Sequence, residues 1–289
     1  MKRLLFATDF SWECSQAAGY IGQRVGQLGA KLTVLHVFDP DKVYYHAGDL
    51  ALRPQHEILE DLITVHRQKL DQFVAEHFMG ISLDPKLKIG DRIEEIGRVA
   101  QKENIDAIML PLKHHNLLSE KFSYSLPAQI LELFNLPVWT IDPKATPLAR
   151  SKAAILCSLD FHQDGALDEQ NKRILDAGTK ISRALNAPLN LLHVLSERNM
   201  EQRRHGSSIV LTHLREEQLS RVRKELGAEA KYLVRAGTSL ADVIATSARE
   251  VDAGLVITGR SHTRPLLSAS QAPILRITQL CPCPVLSIC

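Results

Sequence analysis

The sequence predicts two tandem α/β domains, each a parallel sheet covered on both faces by helices. The first observation behind this is a repeat. Leu4-Leu5-Phe6-Ala7-Thr8-Asp9-Phe10 returns as Ile155-Leu156-Cys157-Ser158-Leu159-Asp160-Phe161, and Leu32-Thr33-Val34-Leu35-His36-Val37 returns as Leu189-Asn190-Leu191-Leu192-His193-Val194. Leu136-Pro137-Val138-Trp139-Thr140-Ile141 then returns as Cys283-Pro284-Val285-Leu286-Ser287-Ile288. A repeat of roughly 150 residues is too long for a solenoid and suits a duplicated domain. The second observation is that each copy alternates short apolar runs with amphipathic helical stripes, the pattern of a buried parallel sheet. The third is size: 289 residues with 45% hydrophobic content can fill two cores.

In the first half the strands are predicted at 3–8, 31–37, 86–89, 107–110 and 138–141, each an apolar run without period-two alternation. Between them, Ala18, Ile21, Val25 and Leu28 mark one helix stripe; Ile58, Leu62, Val65, Leu70 and Phe73 a second; and Ile93, Ile96 and Val99 a third. Ser123 to Phe134 supplies the last helix. The second half repeats the order with strands at 153–158, 189–194, 231–234, 254–258 and 285–288. Its helices carry Ile174, Ile181 and Leu185, then Leu214, Leu219, Val222 and Leu226, then Leu240, Val243 and Ile244. Pro143 and Pro147 make 142–147 an extended connector. The expected domains are therefore 1–142 and 151–289.

Charge and cysteine usage narrow the function classes. Lys and Arg number 35 against 33 Asp and Glu, so the chain has no general positive field of the kind non-specific nucleic-acid binding uses. Arg203-Arg204-His205 reads as a solvated face. Lys2-Arg3 precedes apolar residues, but Asp9 interrupts the run before a leader's apolar region could form. No apolar stretch nears the roughly 20 residues that span a bilayer. Five irregularly spaced cysteines fit a reducing compartment, and the expected location is cytoplasmic. Cys281, Cys283 and Cys289 lack the paired spacing of a zinc site and read as buried thiols beside Pro282 and Pro284.

In an open parallel sheet, ligands bind beyond the carboxyl ends of the strands. Those ends are Asp9, Val37, Gly90 and the segment from Pro111 in the first half, and Asp160, Val194, Gly237 and the segment from Gly259 in the second. An aspartate there either accepts hydrogen bonds from a ligand or closes an Asx turn before the first helix; the sequence leaves both open. A glycine after the third strand admits a close backbone approach. No Walker A, Gly-x-Gly-x-x-Gly or Gly-x-Ser-x-Gly pattern occurs, and nothing pairs a nucleophile with a base.

Taken in order and twice over, the segment Leu4 to Ser11, the Leu-His36-Val37 and Leu-His193-Val194 pairs, Gly259 and Cys281 to Leu286 resemble tandem universal stress protein domains. The resemblance covers nearly the whole chain. It implies five strands per domain in an adenine nucleotide alpha hydrolase-like fold, with the domains paired through their last strands about an approximate twofold. Members that bind ATP carry Gly, two residues, Gly, nine residues, Gly, then Ser or Thr after the fourth strand, where backbone N–H groups wrap phosphate. Here the first-half positions read Pro111, His114 and Tyr124, with Ser125 alone matching. In the second half Gly259 matches, His262 replaces the next glycine, and Gln271 or Ala272 falls at the third.

ATP binding is therefore expected to be weak or absent, with any remainder in the second half, where Arg260 and Arg264 could contact phosphate. The resemblance implies a non-catalytic cytoplasmic stress-response protein that binds a small ligand or a protein partner. An ATP-binding switch with slow hydrolysis in the second domain, and a metabolite or lipid carrier, are the alternatives.

Overall fold

The computed structural model describes residues 1–40, 55–112, 125–144, 153–160, 168–196, 230–260 and 273–289. The first half runs β1 (Arg3–Thr8), α1 (Trp12–Leu28), β2 (Lys31–Phe38), α2 (Gln55–His77), β3 (Leu83–Ile89), α3 (Arg92–Lys102), β4 (Ala107–Pro111), α4 (Leu126–Leu133) and β5 (Val138–Ile141). The second runs β6 (Ala154–Leu159), α5 (Glu169–Leu185), β7 (Leu189–Ser196), β8 (Ala230–Gly237), α6 (Leu240–Glu250), β9 (Ala253–Gly259), α7 (Pro273–Leu280) and β10 (Val285–Ile288). All the described strands lie in one ten-stranded sheet of order β3-β2-β1-β4-β5-β10-β9-β6-β7-β8. Neighbours are parallel except at the centre, where β5 and β10 run antiparallel with Trp139 opposite Leu286. The order is palindromic, as two copies of one five-stranded unit joined edge to edge must be.

The predicted strands match the observed ones closely, and the largest departure is physical. β3 begins at Leu83 and runs through Pro85, where the sequence reading started it after the proline. Proline is tolerated because β3 is the outer strand and one of its backbone edges has no ladder to supply. β8, at the opposite edge, extends to Gly237. Lys86 and Lys88 on β3 and Lys231 and Arg235 on β8 also place charge where an uncovered edge would otherwise invite pairing.

Two helix stripes need correction. In α2 the buried face carries Ile58, Leu70 and Phe73, and its inward position between them belongs to half-buried His66; Val65 points outward, 43% exposed. In α6 the buried residues are Ala241, Ile244, Ala245, Ser247 and Ala248, whereas Leu240 at the first helical position is exposed. The stripe through Leu214 and Leu226, residues 145–147 of the connector and residues 148–152 after it lie outside the described residues. Helix ends follow chemistry visible in the chain. Asp91 caps α3 by accepting from the N–H groups of Ile93 and Glu94 at 2.8 and 3.0 Å, and Asp168 caps α5 through Asn171. Gly29 ends α1 in the left-handed region that closes a helix.

The central junction joins the cores as well as the sheets. One apolar cluster contains Leu4, Phe6, Tyr20 and Trp139 from the first half together with Ile155, Cys157, Ile174 and Leu286 from the second. The opposite sheet face carries one cluster per half, and Leu275 of α7 enters the first-half cluster beside Val138 and Ile130. Trp139 is fully buried, edge-on to Tyr20 at 6.3 Å. Truncating it opens a large cavity where the halves meet, so Trp139→Ala should cost about 3–5 kcal/mol by denaturant unfolding. A change within about ±0.5 kcal/mol would mean that the junction does not hold the molecule together.

Candidate functional site

In each half the strand order reverses beside the first strand, between β1 and β4 or between β6 and β9. Such reversals leave a crevice at the carboxyl ends, because the connections to either side leave on opposite faces. In the first half this crevice is a pocket of ≈ 280 Å³. Its apolar wall includes Leu35, Val37, Ile96 and Leu110, and its polar groups come from Thr8, Asp9, Arg92 and Ser125. Pro111, Leu126, Pro127 and Cys14 complete the mouth. The volume is just below the usual range for small-molecule sites, and the mixture of a mostly apolar wall with a few convergent polar groups is typical of them.

Asp9 occupies a tight turn. Its Oδ1 accepts from the Ser11 N–H at 3.1 Å and from the Cys14 thiol at 3.3 Å, so the carboxylate both closes an Asx turn and lines the pocket. The two readings of this aspartate are not exclusive. Burial, reinforced by the Asp9 charge, raises the Cys14 pKa, which keeps the thiol protonated and a poor nucleophile. Ser125 accepts from the Ala128 N–H at 3.4 Å and is the N-cap of α4, so the one surviving position of the phosphate pattern directs a helix start at the pocket. Pro111 at the end of β4 offers no N–H. Gly90 lies outside the lining but follows β3 at φ 133°, a conformation that favours glycine, and its N–H bonds to the Phe38 carbonyl.

The second half folds the same way and spends the equivalent residues differently. Asp160 is exposed, and its backbone is clamped by Asn171, which accepts from the Asp160 N–H at 3.1 Å and donates to its carbonyl at 2.5 Å. Asn171 holds the third position of α5, as Cys14 does in α1. Gly259 faces Gln170: a Cβ there would sit 2.6 Å from Oε1, while Gln170 Nε2 donates to the carbonyls of Arg260 and Ile288. The glycine makes room for a side chain of the same half. Val194 packs against the second-half core, and Gly237 lies close to Val243.

Arg260 corrects the expectation of a phosphate contact. Its guanidinium is buried and crosses to the first half, donating to the carbonyls of Leu131, Phe134 and Leu136 at the end of α4. These carbonyls have no helical partner, and a cation at a helix C-terminus is favoured by its dipole. The residue is a brace on the helix whose other end lines the pocket. His262, Arg264, His114, His115, Tyr124, Gln271 and Ala272 lie outside the described residues. Cys281 and Cys283 are buried, burial pushing Cys281 up to about 12, and no group of three metal-ligating side chains occurs among the described residues. None of the described helices is long and apolar enough to cross a membrane.

Of the pocket residues, the strand-end rule points to Asp9, Val37 and Pro111, and the phosphate-loop pattern implied by the family resemblance points to Ser125. Arg92 and Cys14 were missed; the signal for Arg92 was the Asp91 cap, which fixes the next residue at a helix start facing the crevice.

A family model described as the universal stress protein family matches residues 1–142 and 164–288. Among solved structures, a universal stress protein from Archaeoglobus fulgidus is 16% identical with a TM-score of 0.71, covering 99% of this chain and 97% of its own. A functionally unknown protein from Pseudomonas aeruginosa is 16% identical with a TM-score of 0.62, covering 100% and 92%. The cytoplasmic domain of a prokaryotic cation chloride cotransporter shares the fold at 10% identity and a TM-score of 0.54, covering 99% and 94%. No curated protein matches.

The brace makes a prediction that a phosphate ligand would not. Arg260→Ala removes the guanidinium from three carbonyls, leaving Phe134 only the weak Cys289 thiol, and should cost about 3 kcal/mol or more in denaturant unfolding, since hydrogen bonds to charged groups contribute about 1.5–3 kcal/mol each. Arg260→Lys should recover only part, because an ammonium lacks the planar fork. Unchanged stability in both variants would remove the brace.

Proposed function

The chain belongs to the universal stress protein family, and from that premise we propose that it is a non-catalytic stress-response protein binding one small ligand in its first half. The observation that carries this reading is the pocket at the β1–β4 crevice, where Asp9, Val37 and Ser125 converge. The ligand class follows from the lining. A largely apolar, roughly planar body suits Leu35, Val37, Ile96 and Leu110, with an amine or hydroxyl donating to Asp9. A nucleoside meets these requirements better than a triphosphate, because Pro111 supplies no N–H where a phosphate would need one. The second half acts as a folded partner whose equivalent residues serve packing, and the setting is cytoplasmic.

Adenosine is a suitable probe. Titration calorimetry should detect adenosine binding that Asp9→Ala abolishes and Asp160→Ala leaves intact, with Mg-ATP binding no tighter than adenosine. Tight Mg-ATP binding that is lost in Asp160→Ala would instead support the ATP switch in the second domain. No heat with adenosine, together with no small molecule released from freshly isolated protein in mass spectrometry, would overturn the ligand reading.

A further inference from the structure

Behind the Asp9 turn, on the α1 and α2 face of the sheet, two imidazoles meet. His36 of β2 is buried, with Nδ1 2.8 Å from the Thr8 carbonyl oxygen and Nε2 2.8 Å from Nδ1 of His66 on α2. A carbonyl can only accept, so His36 carries its hydrogen on Nδ1 and presents a bare Nε2. His66 must then donate through Nδ1. The resulting chain of donors runs from His66 through His36 to Thr8, the residue that begins the pocket's polar wall. His193, the repeat of His36, makes the corresponding contact to the Leu159 carbonyl at 3.2 Å.

The same pair supports a strained turn. Phe10 has φ 60°, a left-handed conformation that a bulky side chain rarely adopts, and it directly follows Asp9. Its ring lies 4.2 Å from the His36 ring and 5.6 Å from Phe73, and the Phe38 ring lies 4.3 Å from His66. The aromatic packing therefore holds Phe10, and with it Asp9, in place.

We propose that His36 and His66 form an acid-sensitive latch: neutral, they fix the Thr8 to Phe10 turn on the pocket wall, and with both imidazoles protonated they part and release it. A first proton on Nε2 of half-buried His66 leaves its Nδ1–H donating to His36, with Phe38 stacked on the cation. A second proton on Nε2 of His36 sets N–H against N–H and charge against charge, which the geometry cannot hold. Burial, with His66 and Arg92 adding to it, pushes His36 down to about 4, against the opposing pull of the Thr8 carbonyl and of Asp9. Burial and Lys69 lower His66. The described charges facing the pair are thus Asp9 from the turn, Arg92 from α3 and Lys69 from α2. Because the latched state binds the His36 proton less readily than an open one, its stability falls as pH drops from the ordinary value of 6.5 and is lost through about 4.

The consequence for a ligand rests on the proposed function, but the latch itself can be read without one. Hydrogen exchange of the full chain, corrected for the intrinsic pH dependence, should show roughly tenfold faster exchange in the turn and first turn of α1 at about pH 4 than at neutral pH, with α5 of the second half unchanged. His36→Gln should remove that pH dependence. Should this variant fail to fold, nitrogen NMR of the parent imidazoles gives the same test: Nδ1–H tautomers for both residues and a two-step titration with His36 well below 6.5 support the latch. Constant protection of the turn, equal acid loss in both halves, or His36 titrating near 6.5 would overturn it. Adenosine binding that fails at every pH counts against the ligand reading alone.

Discussion

Everything in this molecule depends on the antiparallel pairing of β5 with β10. Each is a four-residue apolar strand at the open edge of a five-stranded sheet, an arrangement that exposes both backbone groups and side chains. Joining them removes both edges at once. The Thr140 and Ser287 hydroxyls add cross-strand bonds to the carbonyls of Val285 and Val138, and Trp139 and Leu286 pack in one shared core. The remaining outer strands, β3 and β8, are defended by proline and charge.

That junction makes the two halves one folding object, which frees their ligand crevices to diverge. The first holds a pocket between an Asx turn and two helix starts. In the second, Gln170 occupies the space above Gly259, Asn171 ties down the Asp160 backbone, and Arg260 leaves its own half to hold the end of α4. Residues that in one copy surround a cavity serve structure in the other. Their common fold carries no information about which does which.

Much of the fold was legible because buried parallel strands leave short apolar runs, and because the duplication supplied three of those runs twice. The positions of Asp9 and Val37 followed from the rule that ligands sit at carboxyl ends, and that of Ser125 from the phosphate-loop pattern the family resemblance implies. What sequence concealed was direction. Arg260 follows the one intact phosphate-loop glycine, so its charge suggested a phosphate; only tertiary placement reveals the carbonyls of Leu131, Phe134 and Leu136 within its reach. His66 was hidden for a related reason: beside apolar Val65 it looks like the polar neighbour, yet the four-residue spacing from Leu62 to Leu70 puts His66 on the buried face and Val65 in solvent.

The proposed division of labour gives one half the ligand and leaves the other to hold the first in shape. Binding stoichiometry tests this most directly: native mass spectrometry of the intact chain at saturating adenosine, with hydrogen exchange locating the protected segments. One molecule per chain is expected, with protection confined to the β1–α1 turn, the start of α3 and the start of α4. Two molecules per chain, or protection around Asp160 and Gly259, would contradict it.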